Sequence, residues 1–272
     1  MYQISDIEIL IATMNRSNLD FLQPIFGFTD YLQFKILIVN QTTKKNILKS
    51  DSKQIKVINM FEFGLSKSRN VALDNANSQL IIFTDDDVVF QQDFETKLLQ
   101  VFNLHTLHDG FRFQFLNGKG NLAKKYPHHF EEKLSQFEIL NTSSVELVFK
   151  SESIKHVSLK FDENFGLGSN FSMGEEAVFV SDAIKLGLNI GFVPTILVAH
   201  SQLSTGHKTI ISKQYFIHSA VFYRIYGKMY LFWIALKLFF DLKQRKVRFR
   251  EIFKMFKQAI KGKQAYVNHT KL

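Results

Sequence analysis

The sequence predicts an α/β fold: a sheet of buried strands sandwiched between helices, with an amphipathic helical extension at the C-terminal end. Three observations carry this expectation. Short β-branched runs alternate with helical segments through the first half, the runs end in polar turns, and basic residues gather after residue 207.

Residues 7–12 form the first apolar run, closed by Thr13, Met14, Asn15 and Arg16. Residues 34–39 form the second, followed by Asn40 and Gln41. Residues 54–60 read as a third strand and 66–77 as a helix. The run Leu80, Ile81, Ile82, Phe83, Thr84 is almost wholly apolar, as expected for a strand covered on both faces of a parallel sheet. Further along, a helix is expected over 93–104, strands over 110–116 and 144–149, and a glycine-rich loop over 162–174. A helix over 175–186 and a strand over 190–194 complete this part. Ligands of such sheets sit beyond the carboxyl ends of the strands. Asn15, Asn40 and the triplet Asp85, Asp86, Asp87 all fall there.

With 272 residues and 46% hydrophobic content, the chain can bury a large core, which excludes a disordered protein. It has no cysteine, which excludes a disulfide framework and a Cys-based zinc site and fits a reducing compartment. Residues 1–6 lack the basic start of a secretory signal, so the expected location is the cytosol. The net charge of +9 is unevenly placed. Residues 1–207 carry 19 Lys/Arg against 23 Asp/Glu, whereas residues 208–272 carry 15 against 2. The expected division is therefore a mildly acidic body, 1–207, and a basic tail, 208–272.

Three adjacent carboxylates repel one another unless a cation or water offsets them. A hard divalent ion such as Mg²⁺ or Mn²⁺ suits carboxylate oxygen and completes its shell with substrate phosphates. On an extended segment Asp85 and Asp87 project to one side and Asp86 to the other, toward a ribose hydroxyl in this reading. By itself the triplet fits equally well a solvated acidic turn or a cap on the next helix.

The residues upstream favour the metal-binding reading. Gly64, Leu65, Ser66, Arg69 and Asn70 lead into the apolar strand and then the aspartates. This run resembles the family 2 glycosyltransferases, in which a Gly-Leu-Ser-x-x-Arg-Asn helix precedes a strand and an Asp-x-Asp motif. Further matches, over roughly residues 5–205, are Thr13, Asn15 and Arg16, the stretch 161–168, the Gly174-Glu175-Glu176 element, Gly187, Pro194 and His200. The resemblance implies a GT-A fold, a Rossmann-like α/β/α sandwich that binds nucleotide-diphospho-sugars. It implies that Thr13, Asn15 and Arg16 border the nucleotide and that Arg69 and Asn70 seat the nucleotide or its diphosphate. Asp85 and Asp87 would hold Mn²⁺ or Mg²⁺, with His200 completing the shell, and Glu176 would be the general base, with Glu175 second. Glutamate here departs from the family's aspartate, being one methylene longer. Asn40 and Gln41 depart from the acidic pair often found after the second strand, where uracil is read. As plain sequence features, Glu175 and Glu176 also suit the first turn of a helix, and His200 and His207 also read as ordinary hydrogen-bonded histidines.

The reaction so implied is a single displacement with inversion, moving a sugar from a nucleotide-sugar donor, UDP-linked, to a hydroxyl of a glycan or lipid-linked glycan. Two other classes are weighed against it. A sugar-nucleotide nucleotidyltransferase would carry a glycine-rich phosphate loop, and residues 13–19 contain no glycine. A non-catalytic membrane adaptor would keep the fold without turnover. Within 105–160, Arg112, Gln114 and Glu146 are candidates for the acceptor side.

In the tail, the longest uninterrupted apolar stretch is 229–236, too short for a spanning helix of about 20 residues. Phe249, Ile252, Phe253, Phe256 and Ile260 recur at helical spacing, with Arg248, Arg250, Lys254, Lys257 and Lys261 between them. Such a helix suits an anionic membrane surface, here the inner face of the plasma membrane. The same face also suits packing on the body or a homodimer contact. Nucleic acid is not expected, since no binding motif accompanies the charge.

Overall fold

The computed structural model describes residues 1–27, 30–200 and 210–270. The elements follow in order: β1 (Ile7–Met14), α1 (Leu22–Ile25), β2 (Lys35–Gln41), β3 (Ile55–Met60), α2 (Leu65–Asn75), β4 (Leu80–Asp85), β5 (Val88–Phe90), α3 (Phe94–Leu104) and β6 (Gly110–Leu116). Then come α4 (Gln136–Leu140), β7 (Leu147–Lys150), α5 (Ser151–His156), α6 (Glu175–Lys185), β8 (Ile190–His200), α7 (Ile211–Tyr226), α8 (Tyr230–Lys243) and α9 (Ile252–His269).

Among the described residues one sheet runs β3-β2-β1-β4-β7-β6-β8-β5. The strands β3, β2, β1 and β4 are mutually parallel, so their carboxyl ends share one edge. Register aligns Ala12 with Asp85 and Thr13 with Asn40, which brings the three polar strand ends side by side. The strand β7 runs antiparallel to both β4 and β6, which restores β6 and β8 to the direction of β4. His200, last in β8, thereby reaches the same edge as Asp85.

Three strands differ from expectation, and the short helices α1, α4 and α5 are not expected from the sequence. The stretch 144–149 is a 3-10 turn, Ser144–Glu146, followed by β7. The Glu146 carboxylate accepts from the Ser143 N–H at 2.6 Å, a local closure that competes with strand pairing. The strand β8 continues past Pro194 because that proline sits, exposed, at a register shift against β6 between Arg112 and Gln114. Bulges are where a strand tolerates a missing N–H. Finally, β5 is only three residues long and is held by pairing with β8, a long-range partner.

Phenylalanines set the distance between sheet and helices. Phe83 of β4 meets Phe161 and Phe179 edge-on at 5.4 and 5.8 Å, and the latter two stack at 4.0 Å. Each such ring contributes about 1.5–3 kcal/mol when fully buried. Phe179 belongs to α6, so this cluster fixes the start of that helix above the carboxyl end of β4.

The tail helices pack on this body. Phe165, Phe171, Ala177 and Val178 share a buried cluster with Tyr215, Val221, Met255 and Tyr266. Arg224 of α7 pairs with Asp162 at 2.9 Å and Asp182 at 2.6 Å. The boundary expected at 207–208, and His207, lie outside the described residues. Gly262 lets α9 touch α7, since an added Cβ would overlap the Phe216 carbonyl oxygen and the Ser219 hydroxyl. Gly262→Ala would ordinarily strengthen a helix by roughly 1 kcal/mol. Here it is expected to destabilise by about 1–3 kcal/mol, because a backbone atom must shift. A lowered midpoint in urea checks this, whereas a raised one would mean the helices separate at no penalty.

Candidate active site

The site lies along the shared strand edge. A cleft of 450 Å³ is lined by Thr13, Met14, Gln41, Phe63, Asp85, Asp86, Asp87 and Leu167, among others. Thr13 and Arg16 are joined to Asp86: the Thr13 hydroxyl donates to its carboxylate, and Arg16 Nε and Nη2 each lie at 2.8 Å. Asn15 adopts φ 55°, a left-handed conformation that asparagine tolerates. Its N–H donates to the Gln41 carbonyl at 2.9 Å, tying the ends of β1 and β2 together. Gln41 in turn accepts from the Gly64 N–H at 2.7 Å, anchoring the loop that starts α2.

Arg69 and Asn70, expected to seat the nucleotide or its diphosphate, both make contacts within the protein. The Asn70 amide is occupied by the Phe161 backbone and by Glu163, at 2.8–3.1 Å. Arg69 is 3% exposed and lies among carboxylates. Its Nη1 reaches Glu176 at 3.1 Å and Glu175 at 3.4 Å, and its Nη2 reaches Asp85 at 3.3 Å and the Ser144 hydroxyl at 2.7 Å. The guanidinium thus joins the aspartate triplet to the start of α6, a geometry that its planar fork suits.

The two glutamates differ. The Glu175 side chain is 6% exposed and that of Glu176 15%, so Glu176 is the more accessible. Burial, and then the neighbouring Glu176 charge, push the Glu175 carboxyl well above the usual carboxylate range. Its Oε2 is buried without a partner. Gly166, at φ 102°, crosses directly over Glu175 and Ser66, where a side chain would press on both.

The pattern of Glycosyl transferase family 2 matches residues 9–165, more than half of the chain. The chain belongs to Glycosyl transferase family 2. The chain also shares its GT-A fold with crystal structures of S. aureus TarS. TarS 1–349 superposes with a TM-score of 0.56 at 14% identity, over 80% of this chain and 64% of that one. The same fragment in complex with UDP-GlcNAc gives 0.57 at 13% identity, over 80% and 66%. A longer TarS chain gives 0.55 at 15% identity, over 79% of this chain and only 39% of that one. This chain therefore spans less than two thirds of the first TarS structures it resembles. No curated protein sequence matches it.

Family 2 enzymes are commonly dependent on a divalent metal. Among the described residues, no three His, Asp or Glu side chains already converge as a metal cage. Asp85 leans on Arg69, while His200 Nδ1 and Asp87 Oδ1 face one another at 3.6 Å. That Nδ1 is buried and makes no hydrogen bond. Asp87 holds the imidazole above its ordinary value, and His200 holds Asp87 below the usual carboxylate range. Carboxylate oxygen and imidazole nitrogen are donor types that a divalent ion such as Mn²⁺ accepts.

The acceptor-side expectation for Arg112 and Glu146 is corrected. They are 1% and 0% exposed and pair with each other at 3.2 Å, with Tyr126 and Lys124 also donating to Glu146. A charge buried so completely is retained by its partners and is not open to a substrate. Gln114 is likewise buried. Sequence reasoning missed Ser144, which accepts from Arg69, and Lys124, which pairs with Glu146; both lie in segments without a motif.

Proposed function

We propose that the chain is an inverting, metal-dependent glycosyltransferase that moves a sugar from a UDP-sugar to a hydroxyl of a lipid-linked or surface-polysaccharide acceptor. The observation that carries this is the Arg69 bridge, which sets Glu176 opposite Asp85 across one strand edge. TarS, similar in fold, has been solved with UDP-GlcNAc and with UDP, which supports a uridine donor for this cleft.

In this reading Thr13, Arg16 and Asp86 border the nucleoside, and Glu176 takes the proton from the acceptor hydroxyl as it attacks the anomeric carbon. Attack from the face opposite the leaving group inverts that carbon. Asp85, Asp87 and His200 would hold Mn²⁺ or Mg²⁺, whose charge offsets that of the leaving diphosphate. Arg69 orients the carboxylates and balances their charge. The catalytic unit is 1–207, and the tail, 208–272, keeps the enzyme at the inner face of the plasma membrane, near its acceptor. No helix among the described residues is long and apolar enough to cross a membrane.

The test is thermal stabilisation by a panel of nucleotide sugars with and without Mn²⁺. At a hundredfold excess over Kd a bound ligand adds about 2.7 kcal/mol. A UDP-sugar is expected to raise Tm by several degrees only with the metal, and Asp87→Ala is expected to abolish the rise. Equal stabilisation of the variant would remove Asp87 from the metal site.

A further inference from the structure

The tail helices bury only part of their apolar surface. In α9, Met255, Ala259, Gly262 and Tyr266 form the buried stripe. Ile252 and Phe256 rest partly buried against the same cluster. Phe249 and Phe253 do not: they are 80% and 82% exposed, and Ile260 is 46% exposed. Phe253 and Ile260 are seven residues apart and so share a face. The pattern repeats in α8, where Ile234 and Leu238 are buried while Phe232 and Phe239, also seven apart, are 55% and 59% exposed.

Single exposed apolar residues are ordinary on a protein surface. These differ in their neighbours. Lys254, Lys257 and Lys261 lie along the same helix as Phe253 and Ile260, Arg250 lies with Phe249 in the 3-10 turn just before it, and Lys228 and Lys243 lie at the two ends of α8. Among the described residues, the ion pairs that the tail helices make are those of Arg224 with Asp162 and Asp182 and of Lys237 with Asp241. Arg250 and the α9 cations Lys254, Lys257 and Lys261 therefore carry charge that no ion pair offsets, next to bulky rings.

We propose that the outer faces of α8 and α9 dock on an anionic lipid surface, with Phe232, Phe239, Phe249 and Phe253 entering the headgroup region and the α9 cations meeting lipid phosphates. Rings beside lysine and arginine are the composition of an interfacial helix. A second copy of the chain is a poor occupant, because apposing two such faces brings like charges together. The proposal rests on the membrane location given above and is independent of the transfer chemistry.

The experiment is co-sedimentation of the full chain with phosphatidylcholine vesicles, with and without phosphatidylglycerol. Wild type is expected to bind only the anionic vesicles, and less at high salt. The double variant Phe249→Ser, Phe253→Ser is expected to bind at least tenfold more weakly with an unchanged Tm, because both positions are solvent-facing. Ile252→Ser, on the inward side, should instead lower Tm. Wild type that ignores anionic vesicles, a double variant that binds as wild type, or a dimer dissolved by the double substitution without any vesicle binding would each overturn the proposal. UDP-sugar stabilisation measured on the same samples separates the two readings: its loss with vesicle binding intact removes the donor assignment and leaves docking in place.

Discussion

Arg69→Met is expected to destabilise the protein by about 3–5 kcal/mol, the usual penalty for breaking a buried ion pair by removing one partner. The reason is local. Asp85, Glu175 and Glu176 lie within 3.1–3.4 Å of one guanidinium that is itself 3% exposed. Without it, the Asp85 and Glu176 carboxylates and the buried Glu175 carboxyl lose their shared counter-charge. At roughly 2–4 °C per kcal/mol for chains of about this size, the fall in Tm is large enough to read by calorimetry. The loss should shrink at acid pH, where the carboxylates protonate and the repulsion disappears. Arg69→Lys is expected to recover only part of it, because an ammonium cannot span both sides of the fork. A Tm unchanged within one or two degrees would show that water replaces the guanidinium and that the bridge is not structural.

The second large effect separates the glutamates. Glu176→Gln is expected to lower kcat by about 10²–10⁴, the range for losing a general base, while UDP-sugar binding is retained. Glu175→Gln is expected to leave kcat far less affected, because the buried carboxyl already favours its protonated form. The pH dependence follows from the direction of that shift. The folded-state value of Glu175 lies above the unfolded one, so its contribution to stability is fully present below the unfolded carboxylate range, near pH 4. It is lost as pH rises through the folded value of about 8. Glutamine has no such dependence. The variant should therefore match wild type in denaturant near pH 4 and exceed it above pH 8. If Glu175→Gln removed turnover and Glu176→Gln did not, the two roles would be exchanged.

Much of the fold was legible because it rests on local pattern. Apolar runs such as Leu80 to Thr84 announce a buried strand, and polar residues directly after them announce its ligand-facing end. Departures came where a distant partner decides the outcome. Val88 to Phe90 is too short to read as a strand until β8 lies beside it. Pro194 read as the end of a strand until its register shift against β6 was visible. In the tail, helical spacing alone could not separate the stripe that packs on α7 from the ring-bearing face that stays exposed, since both have the same period.

By itself, the sequence determined the α/β class, the family, and the grouping of Thr13, Asp85, Asp86 and Asp87 at strand ends, all of which follow from residue order and spacing. Tertiary structure alone decided that Arg69 turns inward to the glutamates, that Arg112 and Glu146 neutralise each other in the interior, and that Glu176 is more open than Glu175. Those outcomes depend on which charges burial brings together, and residues 69, 85, 144 and 176 meet only after the sheet reverses direction at β7.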